Sequence, residues 1–119
     1  MLPINNRLKN KRAIDVVFKH GKTQRSDFLF LRFRPNGKDQ TRIAFSIGQK
    51  YSKKATDRNY AKRLLRECSK EFLPLMAQGY DLVFYFQKVS PDQMNINLIK
   101  SHMKTVLKKS NLFLKNSNQ

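Results

Sequence analysis

The sequence predicts a single compact α+β domain, in the order α-β-β-α-β-α, with a mixed sheet packed by helices. Three observations predict it. Three segments space their apolar residues three and four apart, the repeat of a helix with one buried face. Three shorter segments alternate apolar with polar residues or are apolar throughout, as strands do. The 119 residues, 39% of them hydrophobic, suffice for one core and one domain.

The first helix is expected over residues 11–20, KRAIDVVFKH, with Ile14, Val17 and Phe18 on one face. Asn10 is its N-cap, and Gly21 sits where a C′ glycine ends a helix. A strand is expected over 27–34, DFLFLRFR, closed by the turn residues Pro35-Asn36-Gly37. The second strand, TRIAFSIG at 41–48, alternates Ile43, Phe45 and Ile47 with Arg42, Ala44 and Ser46. These two strands are expected to pair as an antiparallel hairpin with a long loop. The second helix runs from about Thr56 to Leu73, its stripe being Ala61, Leu64, Leu65, Cys68 and Phe72, and Pro74 stops it. YDLVFYF at 80–86 reads as a central strand covered on both faces. Ser90, Pro91 and Gln93 make a capping box that opens the third helix, with Met94, Leu98, Ile99, Met103, Val106 and Leu107 inward. The polar end, 115–119, is expected to fray.

Composition narrows function. Twenty-five Lys and Arg against 8 Asp and Glu leave a net charge of +17. Confined to one small domain, such charge opposes compaction, and a polyanion that binds it is rewarded by counterion release. Nucleic acid is therefore the first partner to consider. An anionic membrane surface would call for one dominant basic amphipathic helix, whereas here the cations are spread along the chain. No apolar run approaches the roughly 18 residues of a membrane span, and MLPINNRLKNKR lacks the apolar core of a secretory signal. The single cysteine, Cys68, excludes an internal disulfide framework and fits a reducing compartment. A soluble cytoplasmic domain is expected.

The cations concentrate in one place. On the second helix Arg58, Lys62 and Arg66 fall four apart and project from one ridge, flanked by Asn59, Arg63 and Lys70. Lys50, Lys53 and Lys54 precede the helix, beside its positive dipole end. A merely solvated face would mix signs in Glu–Lys pairs, and this segment has only Asp57 and Glu67 to oppose eight cations. Arg supplies bidentate forks and Lys point charges for phosphates.

The stretch RIAFSIGQKYSKKATDRNYAKRLLRE, residues 42–67, resembles the bacterial ribonuclease P protein subunit. Arg58, Asn59, Lys62, Arg63, Arg66 and Glu67 match that family's R-N-R-x-K-R-x-x-R-E helix. Phe18 and Gly21 look like its F-x-x-G helix ending, and Gly79-Tyr80-Asp81 like its G-x-D. The chain departs at Tyr60, in place of the triplet's second Arg, and at Gln49-Lys50, where the family has a Lys pair. Ala44 replaces a strand glycine, and Ile14 stands where the first helix often has Phe.

The resemblance implies a left-handed β-α-β crossover, as in the second domain of a small-subunit ribosomal protein. It implies a monomeric protein that does not cut RNA itself. Its partner would be a catalytic RNA that hydrolyses precursor tRNA at the mature 5′ end, with Mg²⁺ held mainly by RNA and no cofactor on the protein. The ridge of Arg58, Asn59, Tyr60, Lys62, Arg63 and Arg66, with Lys53 and Lys54, would dock on that RNA. Phe18, with Phe30, Ser46 and Lys50, would hold the single-stranded 5′ leader. The sequence leaves open which face of the first strand lines that cleft.

The residues agree with a non-catalytic role. Metal-assisted hydrolysis needs clustered carboxylates or histidines, and the eight acids are scattered along the chain. His20 and His102 read as structural or surface residues, and Cys68 lies on an apolar stripe. The alternative, a structural RNA-binding protein such as a ribosomal component, shares the charge but predicts no help to precursor processing. A major-groove DNA reader needs a helix-turn-helix or dimer seam, and Pro74 followed by an apolar strand supplies neither.

Overall fold

Burial alternates residue by residue along Leu29–Pro35, with Leu29, Leu31 and Phe33 inside and Phe30, Arg32 and Arg34 on the other face. That alternation sets the architecture seen in the computed structural model, which describes residues 2–114. The expected frayed tail, 115–119, lies outside the described residues. In chain order the elements are α1 (Lys11–His20), β1 (Lys22–Ser26), β2 (Leu29–Pro35), β3 (Arg42–Ser46), α2 (Ala55–Phe72), β4 (Tyr80–Phe86) and α3 (Ile96–Lys109). The four strands form one mixed sheet in the order β1-β2-β4-β3. The radius of gyration, 13.6 Å, is what a single domain of this length has.

Three expectations are corrected. The polar segment KTQRS forms a strand, β1, that hydrophobic patterning misses because three of its five residues are exposed. It pairs antiparallel with β2, Lys22 opposite Phe33 and Ser26 opposite Leu29. The hairpin expected between residues 27–34 and 41–48 does not form. β4 lies between those strands, antiparallel to β2 and parallel to β3, with α2 as the crossover. The physical reason is coverage: β4 carries apolar residues on both faces and belongs in the interior. The third helix starts at Ile96, capped by the Asn95 side chain, and the Ser90 capping box closes only a 3-10 turn over Pro91–Gln93.

The main core lies between one sheet face and the helices α2 and α3. Leu31, Phe33, Leu82 and Phe84 meet Leu65, Cys68, Phe72, Ile99, Met103 and Leu107 there. On the opposite face α1 sets Val17 against Ala44 and Val83, with Ile14 and Phe18 half-buried beside them. α1 begins where expected, the Asn10 side chain accepting from the Arg12 and Ala13 amides. Gly21 ends it as expected, with an extended backbone at φ −76°. A Cβ there would collide with the Val17 carbonyl oxygen and lie 2.9 Å from that of Phe33.

At one end of the sheet Gly79 takes φ +90°, open to glycine at low cost, and turns the chain into β4. Two residues on, the buried Asp81 accepts two bonds from Arg42 of β3, at 2.8 and 2.7 Å, and one from Asn36 at 2.9 Å. The Gly79-Tyr80-Asp81 sequence thus clamps the parallel β3–β4 pair.

Candidate nucleic-acid interface

Helical geometry sorts the charges of α2 by flank. Arg58, Lys62, Arg66, Asn59, Lys70 and Arg63 follow one another around one side, while Asp57, Glu67 and Glu71 take the other. Glu71 turns toward α3 and pairs with Lys100 at 3.0 Å. Between the flanks on the inner side lie Ala61, Leu64, Leu65, Cys68 and Phe72, all buried. Among the described residues, none of Arg58, Lys62, Arg63 and Arg66 enters an ion pair. Their charge is available to a ligand.

The loop before α2 is tied onto its first turn. The Ser52 hydroxyl donates to Asp57 at 2.8 Å and accepts from the Lys54 amide, while Arg58 donates to the Ser52 carbonyl at 2.9 Å. Lys50, Lys53 and Lys54 stay exposed, beside the helix N-terminus. Asn59 and Tyr60 are exposed as well, and the Arg63 guanidinium lies over the Tyr60 ring, 5.2 Å from its centroid. Tyr60 therefore supplies a planar rest for an arginine of the ridge in place of a further charge.

A second surface forms on the sheet face that carries α1. Phe18, Phe30 and Ser46 all lie on it, so the Phe30 side of β2 is the side that faces α1. Tyr85 links them: its ring is 5.4 Å from Phe18 and 5.3 Å from Phe30, nearly parallel to the latter, and it stands opposite Ser46 in register. Arg32 donates to the Tyr85 hydroxyl at 3.3 Å and to the Phe18 carbonyl, with its guanidinium over the Phe18 ring. Arg25 of β1 lies over Phe30, 5.7 Å from its centroid. The result is a row of half-buried rings edged by arginines, an arrangement that offers unpaired bases a surface for stacking. It continues into a groove of about 290 Å³ lined by Ser46, Lys50, Tyr51 and Tyr85, which brings Lys50 to the same surface.

Tyr85, Arg32 and Arg25 were absent from the sequence-derived set. The run YDLVFYF hides Tyr85 because both faces of β4 are apolar, and Arg25 sits in the strand the patterning missed. For Arg32 a signal existed, since it shares parity with Phe30 and Arg34. The other titratable candidates sit apart. Cys68 is buried in the main core, and burial pushes its thiol from 9.0 up to about 11, away from nucleophile chemistry. His102 takes its place against β1, Nδ1 lying 2.7 Å from the Ser26 hydroxyl. Among the described residues no group of three or more His, Cys, Asp or Glu could hold a metal ion, and no helix is long and apolar enough to cross a membrane.

Comparison with known proteins agrees on one family. A family model described as Ribonuclease P matches residues 2–111. The Ribonuclease P protein component of Natranaerobius thermophilus is 32% identical over 109 residues, covering 92% of this chain and 93% of that protein. That of Picosynechococcus is 37% identical over 82 residues, 69% of this chain and 71% of its own length. The solved RNase P protein from Thermotoga maritima, in complex with a fluorophenyl thiourea, superposes with TM-score 0.79 at 27% identity, covering 87% of this chain and 98% of that one. The Staphylococcus aureus RNase P protein, at 23% identity and TM-score 0.81 over 92% of this chain and 98% of its own, shares the fold.

Proposed function

This chain belongs to the ribonuclease P protein family, and from that premise we propose that it serves as the accessory, RNA-binding subunit of a ribonucleoprotein whose RNA carries catalysis. In this reading the protein docks on the catalytic RNA and holds the 5′ leader of precursor tRNA, so that the leader is removed at the mature 5′ end. The observation that carries it is the pair of surfaces just described: a cationic ridge without acidic partners on α2, and an arginine-edged row of aromatic rings on the opposite sheet face. Arg58, Asn59, Lys62, Arg63 and Arg66, with Tyr60 under Arg63 and Lys53 and Lys54 at the helix start, grip RNA phosphates. Phe18, Phe30 and Tyr85 stack leader bases, with Ser46 and Lys50 along the adjoining groove. Stacking of this kind is worth about 1–3 kcal/mol per base and tolerates sequence, which suits a subunit that meets many leaders.

The Mg²⁺ that hydrolysis requires is supplied through the RNA, and the protein holds no cofactor of its own. It acts as a monomer in the cytoplasm. The ribosomal-component alternative is set aside, since the relatives reported above are ribonuclease P proteins.

The test is single-turnover cleavage of precursor tRNA by the cognate catalytic RNA at low Mg²⁺, with and without this protein, using long and short leaders. The protein should raise cleavage and tighten binding chiefly for the long leader. An equal effect on both leaders would leave only charge neutralisation, and no effect on either would refute the reading.

A further inference from the structure

The aromatic row occupies the Phe30–Tyr85–Ser46 end of the sheet. At the opposite end, four residues or about 14 Å along β2 from Phe30, two grooves meet. One, of about 500 Å³, runs between the start of α1 and the turn after β2 and is lined by Arg12, Arg34, Arg42 and Asp81. The other, of about 800 Å³, lies where α1 and α3 end and is lined by His20, Lys22, Arg34 and Lys109, with Tyr80 as part of its wall. Arg34 and Pro35 line both, so the two form one continuous track. Asp81 is the single acid along it, and the bidentate contact with Arg42 already occupies that carboxylate. Among the described residues the side chains of Arg12, Lys22 and Arg34 make no hydrogen bond or ion pair, whereas the Lys109 ammonium donates to the Arg25 carbonyl.

We propose that this track is a third RNA-binding surface, contacting phosphodiester backbone at the pole of the sheet away from the aromatic row. The inference rests on the RNA-binding function proposed above and extends it. Basic side chains at helix C-termini answer the helix dipole, which accounts for His20 and Lys109. It does not account for Arg12, at a helix N-terminus, or for Arg34, on a strand. Arg12, Lys22 and Arg34, gathered without acidic partners along a groove, repel one another until a polyanion lies between them. The track reads no bases: its contacts are charges set along a groove. The backbone could come from the catalytic RNA or from the precursor, and two experimental arms separate these sources.

The variant Arg12→Ala/Lys22→Ala/Arg34→Ala is compared with the wild type for binding to the cognate catalytic RNA, and, in assembled holoenzyme, for binding long-leader precursor tRNA, each across 50–200 mM salt. Each lost phosphate contact lowers the log–log salt slope by about one, so a fall of about two to three is expected in one arm, with at least a tenfold loss of affinity there. The charge-conserving Lys22→Arg/Arg34→Lys variant should keep the wild-type slope. Wild-type slopes for the triple variant in both arms, with the melting temperature unmoved, would overturn the third surface. Arg63→Ala/Arg66→Ala run in parallel separates the two readings: if that variant alone weakens RNA binding in either arm, the proposed function stands without the track, and if neither variant weakens it in either arm, the function proposed above falls too.

Discussion

Arg42 and Asp81 show how one side chain can hold a topology. The Asp81 carboxylate is almost wholly buried, and its charge is tolerated because the Arg42 fork and Asn36 satisfy both oxygens. The same contact raises the Arg42 pKa, the hydrogen bond to Asp81 outweighing partial burial. Removing one partner leaves a buried charge uncompensated, so Arg42→Ala should cost about 3 kcal/mol, measured as a loss in urea-unfolding free energy. Cys68 makes a prediction of opposite chemistry. Its thiol keeps its proton in the fold and releases it when unfolded, because burial raises its pKa from 9.0 to about 11. Stability linked to this group is complete below pH 9 and falls as pH rises from there toward 11. Unfolding measured from pH 8 to 11 should show a steeper decline for the wild type than for Cys68→Ala.

At the level of elements, α2 carries both a buried stripe and the cationic ridge. Its period of 3.6 residues is local, so the inward stripe and the ridge were both readable from spacing, and the helix observed over Ala55–Phe72 differs from expectation by one residue at each end. The two faces should respond differently to substitution. Arg63→Ala combined with Arg66→Ala should weaken RNA binding and lower the salt slope by about two, with the unfolding midpoint shifted little, as expected of surface positions. Leu65→Asp buries an unpaired charge in the core and should abolish the cooperative unfolding transition seen by circular dichroism. β1 was the element that spacing could not show. A strand at the sheet edge with polar, basic residues is what protection against edge-to-edge pairing favours, and such a strand has no hydrophobic period to read.

Over the whole molecule, the fold holds the two surfaces of the proposed function apart. The ridge lies on α2, packed on one face of the sheet, while the aromatic row lies on the other face beside α1. Damage to one should spare the other. Tyr85→Ala removes the ring between Phe18 and Phe30, and should weaken long-leader precursor binding about tenfold with docking on the catalytic RNA unchanged. Titrating the variant with each RNA separately checks this, and equal losses on both would mean that the two surfaces act as one.

Sequence alone determined the α+β class, the existence of the three helices, the ridge and its charge, and the place of Phe18 on the inward face of the first helix, because these follow from spacing within a few turns of chain. Tertiary structure alone decided that β4 separates β2 from β3, that Phe18, Phe30, Ser46 and Tyr85 share one face, and that Arg32 and Arg25 border their rings. Strand order is a choice among distant partners, made by which strands can be covered on both sides, and no local period records it.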